Sequence, residues 1–315
     1  MKYQGYHLFY LIIISFLYSD SGKISPKLHS YNSDISDDPI HIISLMVDFK
    51  KEEVDDPKTS GNGKFLLESS ENYTNYYNSN LLKCSGFLID PPPHNKIYFE
   101  DQIRSVRNYF NNVSRGEIDF TFHMITSNQS PSGIFSLDNF MSHYSSISTY
   151  DDPDEGIVLL FSDALEEAKE DIDQYLYSQD IDASNSNILF IVFHAGVGED
   201  YGFDGYLDPA NYDIRSAYID ENMINFAPED SWMIQEGINK GLLMPETLNL
   251  IYYSTIEDIY GNLGPDALCD VQVGMTGLFS YLLGFEFGLN EMFDTETGET
   301  GIGVFGLMDI GSFNL

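Results

Sequence analysis

The histidines decide which metal chemistry this chain can carry out. A catalytic zinc helix of the His-Glu-x-x-His type needs two imidazoles one helical turn apart, so that both face one ion. It also needs a glutamate beside the first histidine to activate the bound water. No two histidines here are four residues apart, and none follows His194; they lie at positions 7, 29, 41, 94, 123, 143 and 194. A zinc helix built on a histidine pair is therefore excluded.

His194 stands in a conspicuous sequence context. It ends the apolar run NILFIVFH (residues 187–194) and precedes Gly196 and Gly198. At the end of a buried strand, its imidazole could support the wall of an active site or hydrogen-bond a neighbouring loop. Because no other histidine lies at a matching spacing, we expect a structural role, with metal binding or base catalysis as the alternative.

Carboxylates are the second group that could bind a metal ion. The stretch EDYGFDGYLD (residues 199–208) places Asp200, Asp204 and Asp208 in a loop whose glycines let backbone carbonyl oxygens turn inward. Calcium prefers such hard oxygen ligands, although the spacing does not match the EF-hand calcium loop. These three aspartates are the calcium candidates. A solvated acidic loop is the alternative, since the chain has 50 acidic residues.

The two cysteines do not indicate a thiol nucleophile. Neither Cys84 nor Cys269 has a histidine near it in the sequence, and such a nucleophile needs an activating base. In an exported protein the pair can form a disulfide, and the sequence leaves that pairing open. The segment GVGED (residues 196–200) lacks the lysine that follows a phosphate-binding loop.

The charge balance excludes whole classes of partner. With 15 basic and 50 acidic residues, the formal net charge is −35. A field of that sign repels nucleic acids and anionic membrane surfaces, because both require clustered Lys and Arg. We therefore expect no nucleic-acid partner, whereas a protein or peptide ligand and cations such as calcium remain compatible with the charge.

The N-terminal residues have the pattern of an export signal. Lys2 is followed by the apolar run LFYLIIISFLY (residues 8–18) and then by small residues. This run is too short to span a bilayer, so we expect membrane contact only if the signal stays uncleaved. The predicted organisation is a signal peptide at 1–22, a polar leader at 23–40 and one domain at 41–315, in a secreted or cell-envelope protein.

The hydrophobic periodicity predicts alternating strands and helices. Apolar residues with alternating or continuous spacing indicate strands, whereas a spacing of three and four indicates helices. The strands are predicted at 41–49, 117–125 and 187–200, and the helices at 98–116, 155–170 and 273–285. A further strand is expected after the loop that begins at residue 204. This alternation predicts an α/β (α+β) domain.

Three uncommon stretches follow one another along the chain. They are YFEDQIRSVRNYFNNVSRGEIDFTF (98–122), FHAGVGED (193–200) and GLNEMFDTETGETGIGVFGLMDIGSFN (288–314). In this order they resemble the immune inhibitor A family of secreted bacterial metallopeptidases, and the resemblance extends over most of the chain from residue 41 onward. It implies a zincin-like metallopeptidase catalytic domain with a twisted sheet, packed helices and a Met-turn.

The resemblance also implies where the zinc site would lie. Counting back from Gly288, the zinc helix of the family falls on YLLGF (residues 281–285). Tyr281 and Phe285 then occupy the two histidine positions, and Leu282 occupies the position of the general base. The two aromatic residues lie one helical turn apart, where they can pack over the former metal cavity.

Two later residues complete the implied site. Glu291 corresponds to the third metal ligand by metzincin-like spacing, and Met308 corresponds to the methionine of the Met-turn. Because the ligands and the base are replaced while the surrounding stretches are kept, the sequence predicts a non-catalytic pseudopeptidase that needs no zinc and acts by binding.

Two other functions remain open at this stage. One is an active metal-dependent peptidase with unconventional ligands, for which Glu286, Glu291 and His194 are the candidates and calcium, magnesium or manganese the favoured ions. The other is a calcium-stabilised binding module of the cell envelope. Metal content separates the first from the pseudopeptidase, and a calcium-dependent melting temperature identifies the second.

Overall fold

A computed structural model describes most of the chain from residue 40 onward. The described residues are 40–54, 56–68, 89–145, 152–183, 187–200, 210–254, 267–294 and 299–313, with the backbone alone at 153, 250–254, 267–271 and 313. The predicted signal peptide, nearly all of the leader, and Cys84, Asp204 and Asp208 lie outside this set, as does the side chain of Cys269. In the part that is described, no helix is long and apolar enough to cross a membrane.

Seven strands and four helices alternate along the described chain. In chain order they are β1 (Ile40–Asp48), α1 (Lys96–Val113), β2 (Phe120–Met124), β3 (Phe135–Ser136), α2 (Pro153–Gln179), β4 (Ile188–Gly198), β5 (Ala217–Ile219), α3 (Trp232–Gln235), β6 (Gly241–Ser254), β7 (Ala267–Val273) and α4 (Met275–Glu286). Short 3₁₀ turns follow α4, at Gly303–Phe305 and Ile310–Phe313.

The strands form one sheet that is mostly parallel. Its order is β2-β1-β4-β6-β5, with β3 also paired to β1 and β7 also paired to β6. The pairs among β1, β2, β3, β4 and β6 are parallel, whereas β5 and β7 run antiparallel to β6. Strand β4 is buried along its whole length, as expected for a central strand covered on both faces. The α/β prediction is therefore confirmed at the level of fold class.

Helix α1 has clear signals at both ends. The side-chain oxygen of Asn95 accepts hydrogen bonds from the backbone N–H groups of Ile97 and Tyr98, which satisfies two of the donors that a helix start leaves unpaired. After the helix, Arg115 and Gly116 have φ values of 59° and 89°, a left-handed conformation that ends helices. The face that α1 buries is apolar, with Phe99, Ile103, Val106 and Phe110.

Most of the predicted elements are present, with two differences. Helix α2 is longer than predicted: Asp152 caps its start, and it continues to Gln179, where Asp180 adopts a left-handed conformation. Strands β3, β6 and β7 and the short helix α3 were not predicted. In β6 the apolar pattern is interrupted by Pro245, Glu246 and Thr247, a combination that normally argues against a central strand.

Candidate functional site

Helix α4 holds the three residues that the resemblance assigns to the zinc helix. The helix is apolar on nearly all sides, and eight of its twelve residues are buried. Tyr281 and Leu282 are 2% and 3% exposed, and Phe285 is partly buried. The rings of Tyr281 and Phe285 meet edge to face, with their centroids 5.1 Å apart. The predicted pairing of these two aromatic residues on one helix face is confirmed.

Glu291 lies beside Tyr281, although ten residues separate the two in the chain. Helix α4 ends in a turn in which Leu289 donates its N–H to the carbonyl of Gly284 at 3.0 Å, and Gly288 has a φ of 73°. This turn reverses the chain and brings the carboxylate of Glu291 to the helix. The hydroxyl of Tyr281 donates to Glu291 Oε1 at 2.8 Å. The two positions that the resemblance assigns to the first and third metal ligands are thus joined by a hydrogen bond.

Burial shifts the ionisation of this pair. It raises the pKa of Tyr281 far above that of an exposed tyrosine, and the charge of Glu291 raises it further. Burial also raises the pKa of Glu291, while the hydrogen bond from Tyr281 offsets part of that increase. The tyrosine is therefore a permanent hydrogen-bond donor at any physiological pH.

Met308 lies directly beneath α4. It is 4% exposed, and a Cβ atom added to Gly284 would come within 2.7 Å of its sulfur. The carbonyl of Met308 accepts from the N–H of Met292 at 2.7 Å, which ties the last turn to the segment that carries Glu291. A glycine at position 284 is thus what allows the methionine to approach the helix.

Asp309 fixes the chain around Met308. Its carboxylate accepts from the N–H groups of Ile302, Gly303 and Ile310 at 2.7–2.8 Å. Burial raises the pKa of Asp309, but these backbone donors lower it by more, so the net shift is downward. The carboxylate therefore organises residues 301–310 into a closed turn.

Glu286 forms a second carboxylate cluster at the end of α4. The hydroxyl of Tyr218 on β5 donates to Glu286 Oε2 at 2.9 Å, and the ammonium of Lys240 pairs with Oε1. The ring of Tyr218 also packs against Phe285, with centroids 5.8 Å apart. Burial raises the pKa of Glu286 in spite of the lysine. This cluster attaches β5 to α4.

His194 is completely buried in β4. Its Nδ1 lies 2.9 Å from the carbonyl oxygen of Ala195, and Nε2 makes no hydrogen bond of good geometry to any described residue. Burial lowers the pKa of His194 to about 4, so the ring is neutral at physiological pH. The ring lies against Phe49, 6.0 Å between centroids.

A buried pair that the sequence did not reveal joins β6 to the segment that precedes α1. His94 and Glu246 are both 0% exposed, and His94 Nδ1 lies 2.7 Å from Glu246 Oε1. The other ring nitrogen, Nε2, lies 2.9 Å from the carbonyl oxygen of Asp90. Because a carbonyl only accepts, Nε2 carries a hydrogen. Burial lowers the pKa of His94, but the hydrogen bond and charge of Glu246 raise it by more, so we infer an imidazolium facing a carboxylate.

Glu246 also joins two further parts of the chain. Oε1 also accepts from the N–H of Leu66 at 2.8 Å, and Oε2 accepts from the N–H of Gly196 at 3.1 Å. Gly196 has a φ of 98° at the irregularity of β4, a conformation that favours glycine. Its amide thereby turns toward the carboxylate. One signal in the sequence was available, a lone glutamate inside an apolar run.

A glutamine on β7 extends this network toward α1. Gln272 accepts from the N–H groups of Ile89 and Asp90, each at 2.8 Å, and donates to Thr247 Oγ1 and to the carbonyl of Asp90. Gln102 on α1 lies within 3.4 Å of the carboxylate of Asp90. These hydrogen bonds connect β6 and β7 to α1 and the segment that precedes it.

The calcium candidates are only partly described. Asp200 is partly buried and accepts from both the N–H and the hydroxyl of Ser216, at 2.9 and 3.0 Å. Burial raises the pKa of Asp200 to about 6, although the Ser216 hydrogen bonds and the charge of Arg215 lower it. Asp204 and Asp208 lie outside the described residues, so the calcium prediction stays a prediction.

The three residues considered as unconventional metal ligands are each engaged in a different part of the structure. Glu286 bonds to Lys240 and Tyr218, Glu291 bonds to Tyr281, and His194 lies in the interior of β4. Among the residues that the structure describes, no group of three or more His, Cys, Asp or Glu side chains is placed to hold a metal ion.

Comparisons with known proteins assign no family to the chain. No protein-family model matches it, and no curated protein matches it either. What the structure shows is the class, an α/β protein with a mostly parallel sheet. A more specific proposal, about family and function, depends on the residues around α4.

Proposed function

We propose that this chain is an exported zincin-like domain of the immune inhibitor A type that has lost its zinc site and acts by binding. One observation carries the proposal: the hydroxyl of Tyr281 donates directly to Glu291. In the family that the sequence resembles, these two positions would share a metal ion. In this chain a hydrogen bond joins their side chains directly.

The donor chemistry of the site does not fit zinc. Zinc in proteins is bound by imidazole, thiolate or carboxylate ligands. Leu282 and Phe285 have no donor atoms, and the hydroxyl of Tyr281 is an uncharged phenol whose pKa is strongly raised. Only Glu291 retains a ligand group. No catalytic step through a metal follows from these residues, and none is proposed.

The positions of the neighbouring segments support the zincin-like part of the proposal. Helix α4, the Gly288 turn with Glu291, and the turn with Met308 contact one another, as a Met-turn packed beneath a zinc helix would require. These segments lie within one continuous stretch of the chain, and their contacts keep Glu291 and Met308 beside α4.

The edge strand β5 is the place where we expect a peptide to bind. Among the described residues β5 pairs only with β6, and Tyr218 connects it to Phe285 and Glu286 of α4. Extended peptides often bind by adding a strand to an exposed sheet edge. On this proposal a peptide pairs with the edge of β5 beside α4 and is held there without being cleaved.

The experiment that tests this proposal is metal analysis by mass spectrometry on protein purified without chelators and then saturated with zinc. The wild-type chain is expected to retain far less than one zinc ion. The variant Tyr281→His/Phe285→His restores two imidazoles on one helix face opposite Glu291 and is expected to retain about one. Adding Glu291→Ala to that variant is expected to weaken zinc binding again.

A second variant tests whether any exposed pair of histidines on a helix would bind zinc equally well. Asp173 and Tyr177 are exposed on α2 one turn apart, so Asp173→His/Tyr177→His creates the same pair without the Glu291 position. It is expected to bind zinc at least tenfold more weakly. A stoichiometric transition metal in the wild type would contradict the loss of the site. A folded α4 variant that binds no better than the α2 control would contradict the zincin-like arrangement.

A further inference from the structure

A groove lies on the surface between α1, the first half of α4 and the C-terminal turns. Its volume is about 260 Å³. Its lining includes Tyr109 of α1, Ser280 of α4, and Val304 and Phe305 of the C-terminal turns. Cofactor and drug-sized ligand sites usually measure about 300–1,000 Å³. This groove suits a large side chain on a peptide better than a cofactor.

The rim of the groove exposes apolar side chains on a well-fixed turn. Phe305 is 92% exposed, Ile302 46% and Val304 43%. The backbone of this turn is held by the carboxylate of Asp309, which accepts from the N–H groups of Ile302 and Gly303. An exposed aromatic ring on a pre-organised backbone loses little freedom on binding, which is the usual property of an interface anchor.

The charge around the groove indicates the chemistry of its occupant. From residue 241 to residue 315 the chain contains no Lys, Arg or His and eleven Asp or Glu. Asp294 and Glu299 are exposed on the segment that leads into Ile302. With a formal charge of −35 on each chain, a second copy is repelled, as are nucleic acids and anionic membranes. A cationic partner is attracted.

We propose that this groove binds a segment of another protein in which basic residues flank an aromatic or branched apolar side chain. The apolar side chain enters between Tyr109 and Phe305, and the basic residues face the acidic surface beside it. The groove uses none of the zinc-helix positions, so the proposal does not depend on whether the chain binds a metal or cleaves peptides.

The test is fluorescence anisotropy with the full chain and three short labelled peptides. The probe has pairs of lysines separating single phenylalanines. One control peptide replaces each phenylalanine by serine, and the other replaces each lysine by glutamate. The probe is expected to bind at least tenfold more tightly than the serine peptide, and binding of the glutamate peptide should be undetectable. Binding of the probe should weaken as salt is raised, because the charge contribution is screened.

Variants place the binding in the groove. Phe305→Ala and Tyr109→Ala remove the two walls and are each expected to weaken probe binding about tenfold, since each buries a large apolar side chain on binding. Tyr177, 91% exposed on α2, supplies the matched control, and Tyr177→Ala should leave binding unchanged. Both removed side chains are exposed enough for the variants to fold, which thermal melting verifies.

Two results would overturn the proposal. Equal binding of the lysine–phenylalanine and lysine–serine peptides would mean that the acidic surface attracts cations without a groove. Binding that is indifferent to Phe305→Ala, or lost equally in Tyr177→Ala, would mean that the apolar anchor lies elsewhere. Neither result depends on zinc content, so the failure of this inference is distinct from the failure of the proposed function.

Discussion

Removing the charge of Glu246 is expected to destabilise the fold more than any surface substitution. Its two oxygens serve three donors: His94 Nδ1 and the N–H of Leu66 at Oε1, and the N–H of Gly196 at Oε2. Glu246→Gln keeps the shape, but either orientation of the amide places its NH₂ against a backbone N–H. One buried donor is then unsatisfied, which costs about 1–3 kcal/mol. The imidazolium also loses its counter-charge.

Breaking a buried ion pair by removing one partner typically costs about 3–5 kcal/mol, and we expect a loss of that size for Glu246→Gln. The assay is urea denaturation at pH 6, followed by circular dichroism. Glu229→Gln changes an exposed glutamate and serves as the control, with an expected change within about 0.5 kcal/mol. A loss below about 1 kcal/mol for Glu246→Gln would refute the argument that the pair is charged and buried.

The same pair predicts a pH dependence with a defined sign. The fold raises the pKa of His94, so the folded protein holds this proton more tightly than the unfolded chain. The stabilisation is fully present below the unfolded pKa, about 6.5, and is lost as the pH rises through the folded value. The difference in stability between wild type and His94→Asn should therefore be larger at pH 6 than at pH 9. A difference that grows with pH would reverse the assignment.

Three further substitutions test other contacts by urea denaturation. Tyr281→Phe removes only the hydroxyl that bonds to Glu291, and a loss of about 0.5–1.5 kcal/mol is expected; an unchanged midpoint would show that this bond adds nothing. Gly241→Ala places a Cβ atom 2.1 Å from the ring of Phe161, and such overpacking should cost about 1–3 kcal/mol; a neutral result would require the ring to move freely. The pKa of Asp309 is lowered in the folded protein, so its contribution to the free energy of unfolding is present above the ordinary aspartate pKa and is lost as the pH falls through the lowered value. Asp309→Asn should therefore make the stability depend less on pH in the acid range.

Local patterns were sufficient to predict the elements on either side of the site. The run at 41–49 became β1 at Ile40–Asp48, and the run at 273–285 became α4 at Met275–Glu286. Each is long, apolar and bounded by polar residues or glycine, so its period is evident. The pairing of Tyr281 with Phe285 followed from helix geometry alone.

Strand β6 and the buried pair could not be predicted in the same way. Pro245 and Glu246 interrupt the apolar pattern of β6 because this strand carries the carboxylate that joins neighbouring segments. His94 is 152 positions from Glu246 in the chain, and no local period connects residues so far apart. The contact between Tyr281 and Glu291 likewise depends on the turn at Gly288, whose direction is a property of the folded backbone.

The pairing of β1 with β4 determines when this sheet can form. His41 lies opposite Ile188, and Val47 lies opposite His194, so the centre of the sheet joins the beginning of the domain to its second half. Until β4 has been synthesised, β1 can pair only with the short strands β2 and β3. Closing so long a loop slows folding. A growing chain that ends before residue 188 therefore exposes the apolar β1 to chaperones or to aggregation, and the domain can be completed only after its second half has been made.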